Sequence, residues 1–290
     1  MEIGAAFPTT QIGTDPEVIR TYANVVEAYG YDHVLTFDHV VGANPDTAGE
    51  GSYDARHEIH EPLTLLGYLA GLTEQVELVT GVVVLPQRQT ALVAKQAAEI
   101  DLVSGGRLRL GVGVGWNAVE YETLGEDFSN RGKRIEEQVD VLRALWTEDL
   151  VTLDGTYHTL PDVGINPRPI QQPIPIWMGG TADPVLRRIA RMADGWFPQF
   201  RPGPEATDQL ASLREYIREA GREPEDVGVH GRLRLDSGDP DEWVDRVRAW
   251  RDLGATHVSV VTAARDFDDP TEHAECLESF SNTVEDAGFM

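Results

Sequence analysis

The chain has 290 residues, 41% of them apolar, with 49 Asp and Glu against 24 Lys and Arg and a net charge of −25. That length suits either two domains or one α/β barrel of roughly 250 residues, while a carboxylate-rich surface repels phosphate backbones and argues against DNA or RNA as a partner. No apolar run approaches the ~18 residues of a membrane span, and Cys276, the one cysteine, leaves no internal disulfide framework.

In chain order, Glu2–Phe7 reads as a strand, so no leader is expected, and the lone cysteine fits a reducing cytoplasm. Asp15-Pro16 is an N-cap with proline at the first helical position, opening a helix over Pro16–Tyr29 that Gly30 ends. Asp32–Phe37 is the second strand, followed by a long polar connection, His39–Glu61. Next come helix Pro62–Thr73, strand Val76–Val84, helix Ala91–Val103, strand Arg107–Gly113 and helix Arg131–Trp146. Glu148–Pro173 reads as a hairpin around Asp154-Gly155 with a proline-rich return. The rest alternates again: strand Ile174–Met178, helix Pro184–Ala193, strand Gly195–Pro198, helix Ala206–Ala220, strand Val227–Leu233, helix Pro240–Leu253, strand His257–Val261 and helix Thr271–Asp286.

Eight strands alternating with helices demand a parallel sheet covered by helices. With no linker separating halves, the expected fold is one α/β domain over residues 1–290, a (β/α)8 TIM barrel with an insertion before strand five. A barrel's site lies where strands hand over to loops, so His39–Glu61 is placed to roof it. Only Lys95 and Lys133 are lysines, leaving 22 arginines. A lysine-poor, carboxylate-coated surface suits a halophilic protein whose self-repulsion is screened; an acidic protein from a GC-rich genome is the other reading.

Several motifs carry chemistry. Gly113-Val114-Gly115-Trp116-Asn117-Ala118 fits the G-x-G-x-x-A dinucleotide fingerprint. It follows the fourth strand, however, and lacks the helix, strand and acidic end that such a turn requires. Glycines at a strand's end in a barrel instead permit close backbone approach. Asp38-His39 lies just beyond strand two, where an imidazole could trade protons with a substrate and the aspartate could orient it. Thr80-Gly81-Val82 puts a glycine inside a β-branched run, a sign of a bulge or close approach. Gly179-Gly180-Thr181 stands between strand five and a helix start, a place for an anion. His57-Glu58-Ile59-His60-Glu61 spaces its histidines i, i+3 with Pro62 following, so a solvated loop is expected there and no metal site. Cys276 is expected to be a small packed hydrophobe.

The segments "LTFDHVV" (Leu35–Val41), Leu78–Gly125, "RGKRIEEQVDVLRALW" (Arg131–Trp146) and Pro167–Pro198, in this order, resemble the luciferase-like monooxygenase superfamily. Within it they resemble the branch that uses the deazaflavin coenzyme F420. The resemblance implies the barrel fold and an oxidoreductase that moves a hydride between reduced coenzyme F420 and a small organic substrate. It implies that His39 is catalytic, beside the reactive ring carbon, with Asp38 also at the cofactor. Thr80, Gly81 and Val82 would press on the ring, often around a non-prolyl cis peptide in such enzymes. Asn117, Gly179, Gly180 and Thr181 would receive the phosphate-bearing tail. Val114 stands where some deazaflavin-dependent sugar-phosphate dehydrogenases have a proton-handling glutamate, so that activity is not carried over. FMN is the alternative cofactor, with monooxygenase chemistry; a non-catalytic flavin-binding protein is the third reading. Related barrels often form homodimers.

Overall fold

The structure is a computed structural model that describes residues 1–46, 53–236, 238–265 and 267–290. Its elements, in chain order, are β1 (Glu2–Ala6), α1 (Pro16–Ala28), β2 (His33–Thr36), α2 (Pro62–Ala70), β3 (Glu77–Thr80), β4 (Val83–Val84), α3 (Thr90–Ser104), β5 (Leu108–Gly113), α4 (Ala118–Thr123) and α5 (Arg131–Thr147). There follow β6 (Val151–Asp154), β7 (Thr159–Val163), β8 (Ile176–Gly179), α6 (Asp183–Met192), β9 (Gly195–Phe197), α7 (Pro204–Glu219), β10 (Gly228–Arg234), α8 (Pro240–Leu253), β11 (His257–Val261) and α9 (Glu272–Asp286).

All neighbouring strands of the main sheet are parallel, in the order β3-β2-β1-β11-β10-β9-β8-β5-β4, and β3 also pairs with β5 through Leu78 and Leu108. The sheet is therefore a closed cylinder. β3 and β4 are two halves of the one predicted strand Val76–Val84, interrupted at Gly81-Val82, whose peptide bond is cis. Counted as one, they make eight barrel strands. The expected fold is confirmed, insertion included: β6 and β7 form an antiparallel hairpin outside the barrel, just before its fifth strand, β8. The Gly155 N–H donates to the His158 carbonyl at the turn (2.9 Å).

The helix ends follow local chemistry. The Asp15 carboxylate accepts from the Glu17 N–H at 2.9 Å, with Pro16 behind it. Gly105 (φ 76°) and Gly254 (φ 93°) end α3 and α8 in the left-handed conformation that a Cβ penalises. The sequence reading placed no helix between Gly113 and Arg131 and so missed α4. Asn117 starts it by accepting from the Val119 N–H at 3.2 Å, a contact worth about 1 kcal/mol.

Most of the apolar core lies between strands and helices. Trp146 is fully buried there and its indole N–H reaches the Ala94 carbonyl at 3.0 Å. Cys276 is buried in the same core, as a packed hydrophobe should be. Inside the cylinder, Ala6, Leu35, Val79, Trp177 and Phe197 form a separate apolar layer. Nearer the strands' N-terminal ends the filling is polar. His33 and His230 face each other at 3.1 Å and share the Ser259 hydroxyl (2.9 and 2.7 Å). Arg109, 2% exposed, binds Glu77 and lies over the Trp177 ring at 4.4 Å. Among the described residues no helix is long and apolar enough to cross a membrane.

Candidate active site

β2 ends at Thr36, and the chain turns at the cylinder's C-terminal mouth through Phe37, Asp38 and His39. Asp38 is buried. Its carboxylate accepts from the Val84 N–H at 2.8 Å and from Arg88 at 2.7 Å. Arg88 also binds Glu61, at 2.9 Å, which in turn caps α2 by accepting from the Thr64 N–H (2.6 Å). Asp38 thus clamps the residue before His39 to β4 and α2. Its carboxylate is engaged with protein groups, which suits a positioning role better than direct ligand contact.

His39 places Nδ1 at 3.2 Å from both carboxylate oxygens of Glu120, a residue of α4 that is 1% exposed. One of those oxygens also accepts the backbone N–H of Val40 at 2.8 Å. Burial pushes the Glu120 carboxyl up, but the bonds from His39, Val40 and Val41 outweigh it and hold the group below the ordinary glutamate value. An ionised carboxylate can only accept. Nδ1 therefore carries the proton, and Nε2 is the nitrogen left for a ligand. The Tyr53 ring packs 4.4 Å from His39 and the Trp116 ring 5.7 Å.

A cavity of about 380 Å³ opens beside His39. Its walls come from the C-terminal ends of several strands: Phe7 after β1, Phe37 after β2, Phe200 after β9, and Arg232 and Arg234 on β10. The predicted residues Thr80, Gly81, Val82, Gly179, Gly180 and Thr181 do not line this cavity; they gather where the ends of β3, β4, β5 and β8 meet, beside β2. The Thr80 hydroxyl donates to the Gly111 carbonyl at 2.7 Å. A Cβ on Gly113 would stand 2.6 Å from the Val82 side chain, and one on Gly179 would stand 3.3 Å from it. Val82 thus joins the end of β5 to the end of β8. Thr80, Gly81, Val82 and Gly179 are brought together, with Gly180 and Thr181 adjoining them.

This resolves the glycine fingerprint. A Cβ on Gly115 would lie 2.6 Å from Val84, so Gly113 and Gly115 admit the β3–β4 segment against β5. The close approach is between chain segments, and Asn117 uses its side-chain oxygen to cap α4. At the Gly179 turn, the Gly180 N–H is directed at the Phe197 carbonyl (3.3 Å) and the Gly180 carbonyl accepts from Trp196 (2.7 Å). No side chain caps α6, which begins at Asp183.

The histidine pair of the long connection separates. His57 meets Asp54 at 3.2 Å, His60 meets the Gly13 carbonyl at 3.0 Å, and Glu61 caps α2. Residues 47–52 of that connection, part of the expected roof, lie outside the described residues. Among the described residues one group brings three ligand-type atoms within 4.8 Å of one another: Glu2, His33 and Glu77. It lies at the N-terminal end of the cylinder, away from His39, and Glu77 is already paired with Arg109.

The sequence reading missed Glu120, Tyr53, Arg232 and Arg234. Glu120 had a usable signal. Asn117-x-x-Glu120 has the N-cap and N3 spacing of a helix start, which would have revealed α4 and a carboxylate pointing back at the mouth. The two arginines carry no local sign, since a charged strand end usually denotes solvent.

A family model described as luciferase-like monooxygenase matches residues 1–251. An uncharacterized protein of Mycobacterium tuberculosis is 36% identical over 200 residues, covering 69% of this chain and 67% of the relative. The F420-dependent glucose-6-phosphate dehydrogenase of Microbacterium testaceum is 28% identical over 248 residues, 83% of this chain and 70% of the relative. The FMNH2-dependent dimethylsulfone monooxygenase of Pseudomonas putida is 29% identical over 187 residues, 63% of this chain and 48% of the relative. Among solved structures, an F420-dependent secondary alcohol dehydrogenase bound to an F420-acetone adduct superposes with a TM-score of 0.81 at 17% identity, covering 98% of each chain.

Proposed function

From the premise that the chain belongs to the luciferase-like monooxygenase family, we propose that it is an oxidoreductase passing a hydride between reduced coenzyme F420 and a small organic substrate, with His39 handling the accompanying proton. The observation that carries the reading is the buried Glu120 carboxylate on Nδ1 of His39, which leaves Nε2 for the ligand side of the mouth. The family supplies a flavin or deazaflavin; the choice of deazaflavin is the finer proposal, supported by the named F420-dependent relatives.

The residues fit such a group. Val82, backed by Gly179 and Gly113, presents a small apolar surface at the mouth where a flat ring could lie. The start of α6 has no side-chain cap, and with Pro184 lacking an N–H and Val185 donating to the Ala182 carbonyl (2.8 Å), the Ala182 and Asp183 N–H groups are the donors that would receive a phosphate. The cofactor, when bound, supplies or accepts the hydride. The chain's residues do the rest. Glu120 holds the His39 tautomer and stabilises positive charge as a proton is taken up on Nε2. Asp38 and Arg88 fix the backbone that carries His39, and Tyr53 and Trp116 pack against its imidazole.

The test is anaerobic titration of the purified protein with reduced F420 and with reduced FMN, followed by exposure to oxygen. Saturable F420 binding without oxygen uptake supports the reading. FMN-dependent oxygen uptake with no F420 binding replaces it with the monooxygenase alternative. Tight cofactor retention without turnover for any acceptor leaves a flavin-binding protein.

A further inference from the structure

We infer that the mouth takes a substrate carrying an oxyanion, held by Arg232 and Arg234 in the cavity that His39 also lines. This rests on the proposed function for which ligand is the substrate, and on three observations for the anion. The first is pairing. Carboxylates outnumber basic residues 49 to 24, and the neighbouring arginines have taken theirs. Arg201 and Arg246 both bind Asp236, and Arg88 binds Asp38 and Glu61. Arg232 and Arg234 make no ion pair with any described residue; Arg232 donates to the neutral Gln199 side chain at 2.5 Å.

The second observation is placement. Side chains alternate along a strand, so His230, Arg232 and Arg234 form one inward column on β10. His230 sits in the polar filling, Arg232 is half-buried one layer above, and Arg234 is exposed at the rim. Both arginines line the cavity that His39 lines. Burial and the adjacent Arg234 cation depress the Arg232 guanidinium, although the nearby Tyr53 opposes them. Two like charges held together in a half-buried wall are relieved by an anion between them.

The third is the apolar part of the lining. Phe7, Phe37 and Phe200 line the same cavity as the arginines and His39. An apolar body would pack there, with its carboxylate, phosphate or sulfonate on the arginine fork and its reacting carbon toward His39. On a molecule of net charge −25 this basic spot also selects anions from solution by focusing the field.

The experiment is calorimetric titration, in chloride salt, of the wild type, Arg234→Gln, Arg232→Gln and the double variant. The probes are inorganic pyrophosphate, reduced F420 and reduced FMN. Expected is one saturable pyrophosphate site in the wild type, weakened about tenfold in Arg234→Gln and more in the double variant, with F420 affinity within about twofold of wild type. Arg234 is exposed, so its variant keeps the test valid even where Arg232→Gln fails to fold. Equal pyrophosphate affinity in wild type and Arg234→Gln overturns the inference. So does a matching loss of F420 affinity with competition between F420 and pyrophosphate, because the arginines would then hold the cofactor's anion. Failure of the wild type to bind either F420 or FMN removes the proposed function; saturable, arginine-dependent pyrophosphate binding in that protein still supports the oxyanion site.

Discussion

His39 and Glu120 are 81 positions apart, yet the geometry of the first depends on the second. If Nε2 carries the proton of a hydride transfer, His39→Ala should lower turnover by roughly 10²- to 10⁴-fold while cofactor affinity changes little. Unchanged turnover across acceptors would remove the role. Glu120→Gln is the more discriminating variant. A glutamine oxygen can still accept from the Val40 N–H, so the loop stays anchored while the charge that fixes the tautomer is gone. Turnover should fall at least about tenfold, with KM and melting temperature near wild type. A loss confined to melting temperature would mean that Glu120 only holds the loop.

Among the elements, α4 and α6 matter most, because each starts beside the mouth. α4 is only six residues long and carries Glu120, so the position of the carboxylate depends on a helix too short to be stable alone. In the proposed reading, the Ala182 and Asp183 N–H groups at the start of α6 would receive the cofactor's phosphate. Charge is better tested at Thr181 than at Gly180. Gly180 holds φ 127°, and a Cβ there would stand 3.1 Å from Val185, so any substitution would strain the turn. Thr181→Asp should weaken binding of a phosphate-bearing cofactor about tenfold by placing like charge at the helix start. Identical titration curves for variant and wild type would put the phosphate elsewhere.

For the whole molecule, two bulk properties follow from where charges lie. Burial lowers the His33 and His230 imidazoles well below their ordinary value, and lowers His257 to about 3 and His273 to about 4. These groups stay neutral in the folded chain and protonate in the unfolded one. Their contribution is therefore full above the unfolded value of 6.5 and declines as pH falls below it toward the folded values. Each can remove up to about 1.4 kcal/mol per pH unit, and the raised carboxyls of Glu2 and Glu77 offset part of this at the acidic end. Melting temperature at fixed salt should fall steadily from pH 7 to pH 5. A flat profile would overturn the expectation that the neutral buried histidines dominate stability over this range. The net charge of −25 also predicts that melting temperature rises between about 0.1 and 1 M KCl, as the screening length shrinks from roughly 10 to 3 Å. Salt-independent melting would show that self-repulsion does not limit this fold.

Period, capping and turn chemistry are local, and they made the architecture readable. The Asp15-Pro16 start, the glycines ending α1, α3 and α8, and the Asp154-Gly155 hairpin each act within a few residues, and regular alternation leaves a parallel cylinder as the economical way to cover every strand. His39 at a strand end was legible for the same reason. What depended on closure was not. Whether Glu120 faces His39, whether Gly113 and Gly115 admit Val82 and Val84 or a ligand, and whether Arg232 points into the mouth are set by the stagger of strands far apart in sequence. The polar filling of His33, Arg109, His230 and Ser259 shows this most sharply: four ordinary strand residues become one buried network only because the cylinder turns them all inward.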